Sequence, residues 1–175
     1  MLTVPKELLK ALTTVSTPLP WRKQSFAVGG LWTVGFGSGS DLLLVVSASG
    51  RGVFDCLSGE RVARDSSDDD TYDEDSETTA GIGPLAGSRV EMNGAGGGIV
   101  TRRRLPLTSH DGWVVANTLP PASSNEAVLL CAPTASGDAA WSKIADAEEV
   151  RAIGFSPTNR TLVVAEPHTL HVWCR

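Results

Sequence analysis

The stretch "VRAIGFSPTNRTLVVAEPHTLHVWCR", Val150–Arg175, decides how the chain is read. An apolar run ends in Gly154 and Phe155. A polar turn follows, then a second apolar run over Thr161–Ala165, a turn at His168, and a last run that holds Val172 and Trp173. Short runs of β-branched and aromatic residues, cut by Gly, Pro, Asn and Ser, are strands and turns. The stretch Leu31–Cys56, "LWTVGFGSGSDLLLVVSASGRGVFDC", repeats the same order without a gap. Gly35 and Phe36 fall on Gly154 and Phe155, Leu42–Val46 on Thr161–Ala165, and Val53 and Phe54 on Val172 and Trp173. Two matching strand–turn–strand units indicate a repeated supersecondary element.

These units resemble the blade of a WD40-like β-propeller. The C-terminal copy carries the likeness best, in "GFSP", the His-containing turn and "VW". It departs from that pattern in having no Gly-His dipeptide before its first strand, and in Cys174 where the family has Asp after Trp173. At about 40 residues per blade the chain holds at most about four units. The resemblance implies a minimal propeller, or blade-like units in an open twisted sheet or sandwich, and with it a scaffold or adaptor role. "WRKQSFAV", from Trp21, is the segment placed to pair with the last unit and tie the chain ends together.

Further strands are expected at "ERVARD", "GWVVANTL" and "EAVLLCAP", with "CLSGER" as a hairpin turn. "TASGDAAWSKIADAEEV" reads either as a loop with a strand at "AAWSKIA" or as a short helix near "DAEEV". One short helix is expected over residues 1–17. Pro5 suits its first position, and Leu8, Leu9, Leu12 and Val15 form one stripe. The prolines of "TPLPWRKQ" end it. The expected fold is therefore a single all-β antiparallel domain over 1–175, with an acidic and Gly-rich loop insertion over 65–87. "NGAGGGIVTRRRLPL" is a second break in the pattern.

The charge is unevenly spread. The formal net charge is -5, from 20 acidic and 15 basic residues. The stretch Asp65–Glu77, "DSSDDDTYDEDSE", holds eight of those acids and no base, which leaves 12 acidic against 15 basic residues elsewhere. A field concentrated in this way attracts cationic partners and repels nucleic-acid phosphates. Two readings of the stretch stand side by side. Like charges repel and keep a loop solvated. Alternatively Asp68, Asp69, Asp70, Tyr72, Asp73, Glu74, Asp75 and Glu77 form a docking surface, with Tyr72 as its apolar anchor. The basic run Arg102–Arg104 is a charged strand edge, or lies against the acidic loop.

Other chemistry is not legible. No Gly lies between Asp65 and Glu77, so an EF-hand frame fails. "GFGSGS" and "NGAGGGI" lack the context of a phosphate loop. His168, His171 and Cys174 are three apart, which on a strand puts neighbours on opposite faces. No GxSxG elbow accompanies His110 and Asp111. No catalytic residue, metal ligand or cofactor is expected, and the chain is not read as an enzyme. An enzyme with an unrecognised site at His110 and Asp111 is the remote alternative. Three cysteines without CxxC spacing fit a reducing compartment, and no apolar run reaches the roughly 18 residues of a membrane span, so a cytoplasmic protein is expected. The overall profile resembles immunity proteins of bacterial contact-dependent growth inhibition. That implies a monomer that joins a basic toxin, such as a nuclease, in a heterodimer, without touching nucleic acid or membrane. The WD40-like scaffold is the alternative.

Overall fold

The computed structural model describes residues 14–67, 71–118, 125–134 and 139–175. After β1 (Arg22–Ala27), the chain forms a first sheet from β2 (Leu31–Phe36), β3 (Leu42–Ser47), β4 (Gly50–Asp55) and β5 (Glu60–Asp65). A second sheet follows from β6 (Tyr72–Asp73), β7 (Thr78–Ala80) and β8 (Arg89–Glu91). The hairpin of β9 (Ala95–Gly96) and β10 (Ile99–Val100) leads on to a third sheet of β11 (Val114–Asn117), β12 (Glu126–Ala132) and β13 (Ala140–Ala147). The fourth sheet contains β14 (Ala152–Phe155), β15 (Thr161–Ala165) and β16 (Thr169–Cys174). All pairings are antiparallel and none of the sheets closes into a barrel. β1 pairs with β16 from Arg22↔Cys174 to Ala27↔Thr169, so the segment that begins the described fold completes its last sheet.

The sheets stack face to face through three apolar clusters. Alternation along a strand sends successive side chains to opposite faces. On β15, Val163 and Ala165 join Leu43 and Val45 of β3, while Leu162 and Val164 join Val128, Leu130 and Trp173 against the third sheet. On β3, Leu44 turns the other way and packs with Val53, Val90 and Met92 against the second sheet. Both strands are buried on two faces, which is why "LLLVV" and "TLVVA" read as continuous apolar runs. Each large apolar side chain buried in this way contributes roughly 1.5–3 kcal/mol. The stacking order is third, fourth, first, second. Among the described residues no apolar cluster joins the second sheet to the third.

The repeated Gly-Phe has one cause at both positions. A Cβ on Gly35 would overlap the Glu91 carbonyl, and a Cβ on Gly154 would overlap Leu105 and the Pro106 carbonyl. Glycine lets β8 run against β2, and lets the segment between the second and third sheets run against β14. The turns of the two units are also latched to each other. Asp41, only 5% exposed, accepts hydrogen bonds through Oδ1 from the hydroxyls of Ser156 (2.8 Å), Thr158 (2.6 Å) and Thr161 (2.8 Å). Arg160 donates to its Oδ2 at 2.7 Å. Burial pushes the Asp41 carboxyl upward, but the bonds from Thr158, Ser156, Thr161 and Arg160 outweigh it and hold the group below its ordinary value.

Two expectations meet a different structure, and a third segment takes the strand alternative of the two readings it allowed. Of the helix expected over 1–17, residues 1–13 lie outside the described residues. Thr14–Thr17 are not helical, and Ser16 N–H donates to the Lys143 carbonyl beside the third sheet. The 65–87 segment, expected as a loop, contains β6 and β7, because Thr78–Ala80 pairs with Arg89–Glu91. "AAWSKIA" is strand β13, and "DAEEV" forms no helix, since its start continues the pairing with β12. No helix among the described residues is long and apolar enough to cross a membrane.

Candidate partner-binding site

The acids from Asp73 to Glu77 sit on the β6–β7 hairpin, while Asp65 ends β5. Tyr72 pairs with Thr79, and Thr79 with Val90, so these three side chains share the face that looks toward the first sheet. At the tip, Asp73 Oδ1 accepts the backbone N–H groups of Asp75 (3.0 Å) and Ser76 (3.2 Å), a local turn that leaves Asp73, Glu74 and Asp75 exposed. Those bonds, Ser76 first, hold the Asp73 carboxyl below its ordinary value. Arg89 braces the hairpin from behind, donating to Thr78 Oγ1 (2.7 Å), the Thr78 carbonyl (3.0 Å) and the Thr71 carbonyl (3.2 Å).

Glu77 does not share this outward face. Its backbone is left-handed, at φ 51°, and its side chain is turned inward, the residue being 6% exposed. The carboxylate accepts from the Arg102 side chain (2.9 Å), the Arg102 backbone (3.1 Å) and the Arg103 backbone (3.2 Å), which hold it below its ordinary value. Arg103 also pairs with Glu91 at 2.9 Å. Part of the basic run therefore lies against the acidic segment within the folded chain. Asp65 is likewise neutralised, by an ion pair with Arg51. Hydrogen bonds from Ser67 lead the causes that bring its carboxyl down to about 2. Asp68, Asp69 and Asp70 fall outside the described residues.

Beside the exposed acids lies a cleft of about 450 Å³ between the first two sheets, lined by Trp32, Arg51, Tyr72, Glu74, Thr79 and Ile99 among others. Its size is within the range of clefts that hold a ligand or a partner's side chain. Trp32 is the extra residue of a β-bulge, since Leu31 pairs with Ser47 and Thr33 with Val46. Gly97 of the β9–β10 turn packs directly on the Trp32 indole, where a Cβ would collide with the ring. Arg51 reaches across the floor to Thr71 Oγ1 (2.9 Å) and the Ala80 carbonyl (3.0 Å). Among the described residues two polar atoms here have no partner: Arg51 Nε and Thr79 Oγ1, the latter on a residue only 1% exposed. A buried hydroxyl or N–H left unpaired costs roughly 1–3 kcal/mol, so a bound group that supplies the missing bonds is stabilised here. Burial, then the nearby Glu77 and Glu74, push the Tyr72 hydroxyl upward.

Of the residues expected to dock a partner, Tyr72 and Glu74 line the cleft, Asp73 and Asp75 are exposed on the same hairpin, and Glu77 is withdrawn. Sequence reasoning missed Trp32, Arg51 and Thr79. A bulge has no residue-type signal, and an arginine in a strand gives no hint of which loop it will reach. The remote enzymatic pair is not assembled: Asp111 is held by Arg175 (2.7 Å) and Ser109 (2.7 Å), while His110 faces Asn159 (3.2 Å). Among the described residues no group of three His, Cys, Asp or Glu side chains is placed to hold a metal ion. The three cysteines are buried and free. Comparison of the chain with protein-family models, with curated proteins and with solved structures finds no match.

Proposed function

We propose that this chain is a cytoplasmic binding protein of the immunity or inhibitor type, which captures and neutralises a basic toxin, a nuclease being the leading class. The observation that carries the reading is the pairing of Asp73, Glu74 and Asp75, exposed at a hairpin tip, with a cleft that opens beside them. Arg102 and Arg103 bind Glu77 and Arg51 binds Asp65, while Arg89 donates to neutral oxygens behind the hairpin. The three tip acids make no ion pair among the described residues and face outward as a negative rim. Such a rim speeds encounter with a cationic surface, and an anchor held in the cleft slows release. Trp32 and Tyr72 offer ring faces to that anchor. The partner is a protein, because the same charge repels phosphate backbones.

A second reading, a WD40-like scaffold, is favoured by the architecture. Four antiparallel sheets follow one another along the chain as blade-like units, and β1 completes the last of them. On this reading the sheets are the blades of a propeller-like arc, and partners bind on several of its faces. A pull-down from host lysate at low and at raised salt separates the two. One dominant basic protein, lost when Asp73→Asn, Glu74→Gln and Asp75→Asn are combined, supports the inhibitor. Several partners indifferent to those changes support the scaffold and sink the acidic-rim reading.

A further inference from the structure

We propose that Ser25, His171 and Glu166 form a nucleophile–base–carboxylate site that hydrolyses small carboxylic esters. The site is remote from the acidic hairpin and independent of the binding role above. Ser25 on β1 and His171 on β16 are directly opposite each other in the ladder. Ser25 Oγ lies 2.7 Å from His171 Nδ1, and His171 Nε2 lies 2.9 Å from Glu166 Oε1. The backbone N–H of Glu148 donates to the other Glu166 oxygen at 3.1 Å and holds that carboxylate in place.

The proton positions follow from the partners. An ionised carboxylate only accepts, so the Nε2 that faces Glu166 carries the hydrogen. A neutral imidazole has one N–H, which leaves Nδ1 with a bare lone pair. Ser25 Oγ must then donate to it, which is the ground state of an activated nucleophile. Burial first, and then the Lys23 ammonium, hold the imidazole below its ordinary range despite the opposing pull of Glu166, and this keeps the base neutral. Oxyanion donors are at hand on the same strand. Val28 N–H donates to the His168 carbonyl, so by the alternation of an antiparallel ladder the N–H groups of Ser25 and Ala27 point away from β16. Among the described residues no strand pairs with the outer edge of β1, where those two groups can face a ligand.

In the reaction, Ser25 Oγ bonds to the acyl carbon while its proton passes to His171 Nδ1. The alcohol oxygen then leaves with that proton, and water repeats the sequence to release the acid and restore the hydroxyl. Ser25 is exposed, so the acyl groups expected are short and the selectivity low. The purified chain is incubated with an alkyl fluorophosphonate and followed by intact mass and peptide mapping. Oγ bonds to phosphorus, fluoride leaves and the proton goes to Nδ1. The expected result is one adduct, on Ser25. Ser25→Ala abolishes it, and His171→Gln slows it on the order of 10²-fold or more. Glu166→Gln also slows it, because an amide N–H turned toward Nε2 favours the wrong tautomer. Hydrolysis of p-nitrophenyl acetate should fall in the same order. No adduct, an adduct elsewhere, or an adduct on Ser25 at an unchanged rate in folded His171→Gln and Glu166→Gln overturns the proposal.

Discussion

Asp41 and the Asp73–Asp75 tip are both turn carboxylates, and they do opposite work. Asp41 is enclosed and takes four donors from the turn of the neighbouring unit. The tip acids face solvent, bound by little beyond the Asp73 turn. Glu77, in the same acidic stretch as the tip, belongs with Asp41, because Arg102 and Arg103 have drawn it inside. What separates the groups is the supply of donors around each, not the kind of residue. A carboxylate stripped of water needs hydrogen bonds to remain charged, whereas one left in water is free to meet a partner.

The sharpest way to break this comparison is Asp41→Ala. It leaves three hydroxyls and a guanidinium without their acceptor and should cost about 3–5 kcal/mol in urea unfolding. A loss no greater than that of an ordinary surface change would mean that the latch between the two repeated units is not structural. The same residue predicts a pH dependence. Its folded value is depressed, so its contribution is present above the unfolded carboxylate range and is lost as pH falls through the folded value. Thermal midpoints measured from about pH 6 down to about pH 3 should therefore fall more steeply for the wild type than for Asp41→Asn.

Gly35→Ala should come next, at about 1–3 kcal/mol, because the added methyl meets the Glu91 carbonyl where β2 and β8 approach. Glu77→Gln should lower the melting midpoint by less than Asp41→Ala does, and should release the Arg102–Arg103 segment to faster amide exchange. No change in exchange there would show that the internal ion pairs do not order that run. The smallest stability effect belongs to combined Asp73→Asn, Glu74→Gln and Asp75→Asn, expected within about 2 °C of the wild-type midpoint. That variant instead tests binding. Capture of a basic partner should weaken most at low salt, where these charges are least screened.

Particular residues show how far the sequence could be read. The matching Gly35-Phe36 and Gly154-Phe155 were visible as a repeat, and their shared reason, close approach of another backbone, became visible only in the packing. The pairing of "WRKQSFAV" with the C-terminal strand was legible because the last unit was one strand short. The acidic stretch was legible as a concentration of charge but not as a hairpin. Its strands are only two and three residues long, too short for periodicity to register. Trp32 was legible as a strand residue and not as a cleft wall, since its bulge comes from the register of β2 on β3.

By itself, then, the amino-acid order determined the longer strands, most of the turns between them, the apolar runs of β3 and β15 and the uneven charge. These are local properties, set by residue type and by neighbours a few positions away. Tertiary structure alone decided which carboxylates are withdrawn, which arginines withdraw them, and where Ser25, His171 and Glu166 meet. Ser25 and His171 are 146 positions apart. Contacts of that kind depend on which strand edges pair and in what register, and a one-residue slip in a ladder sends every side chain to the other face.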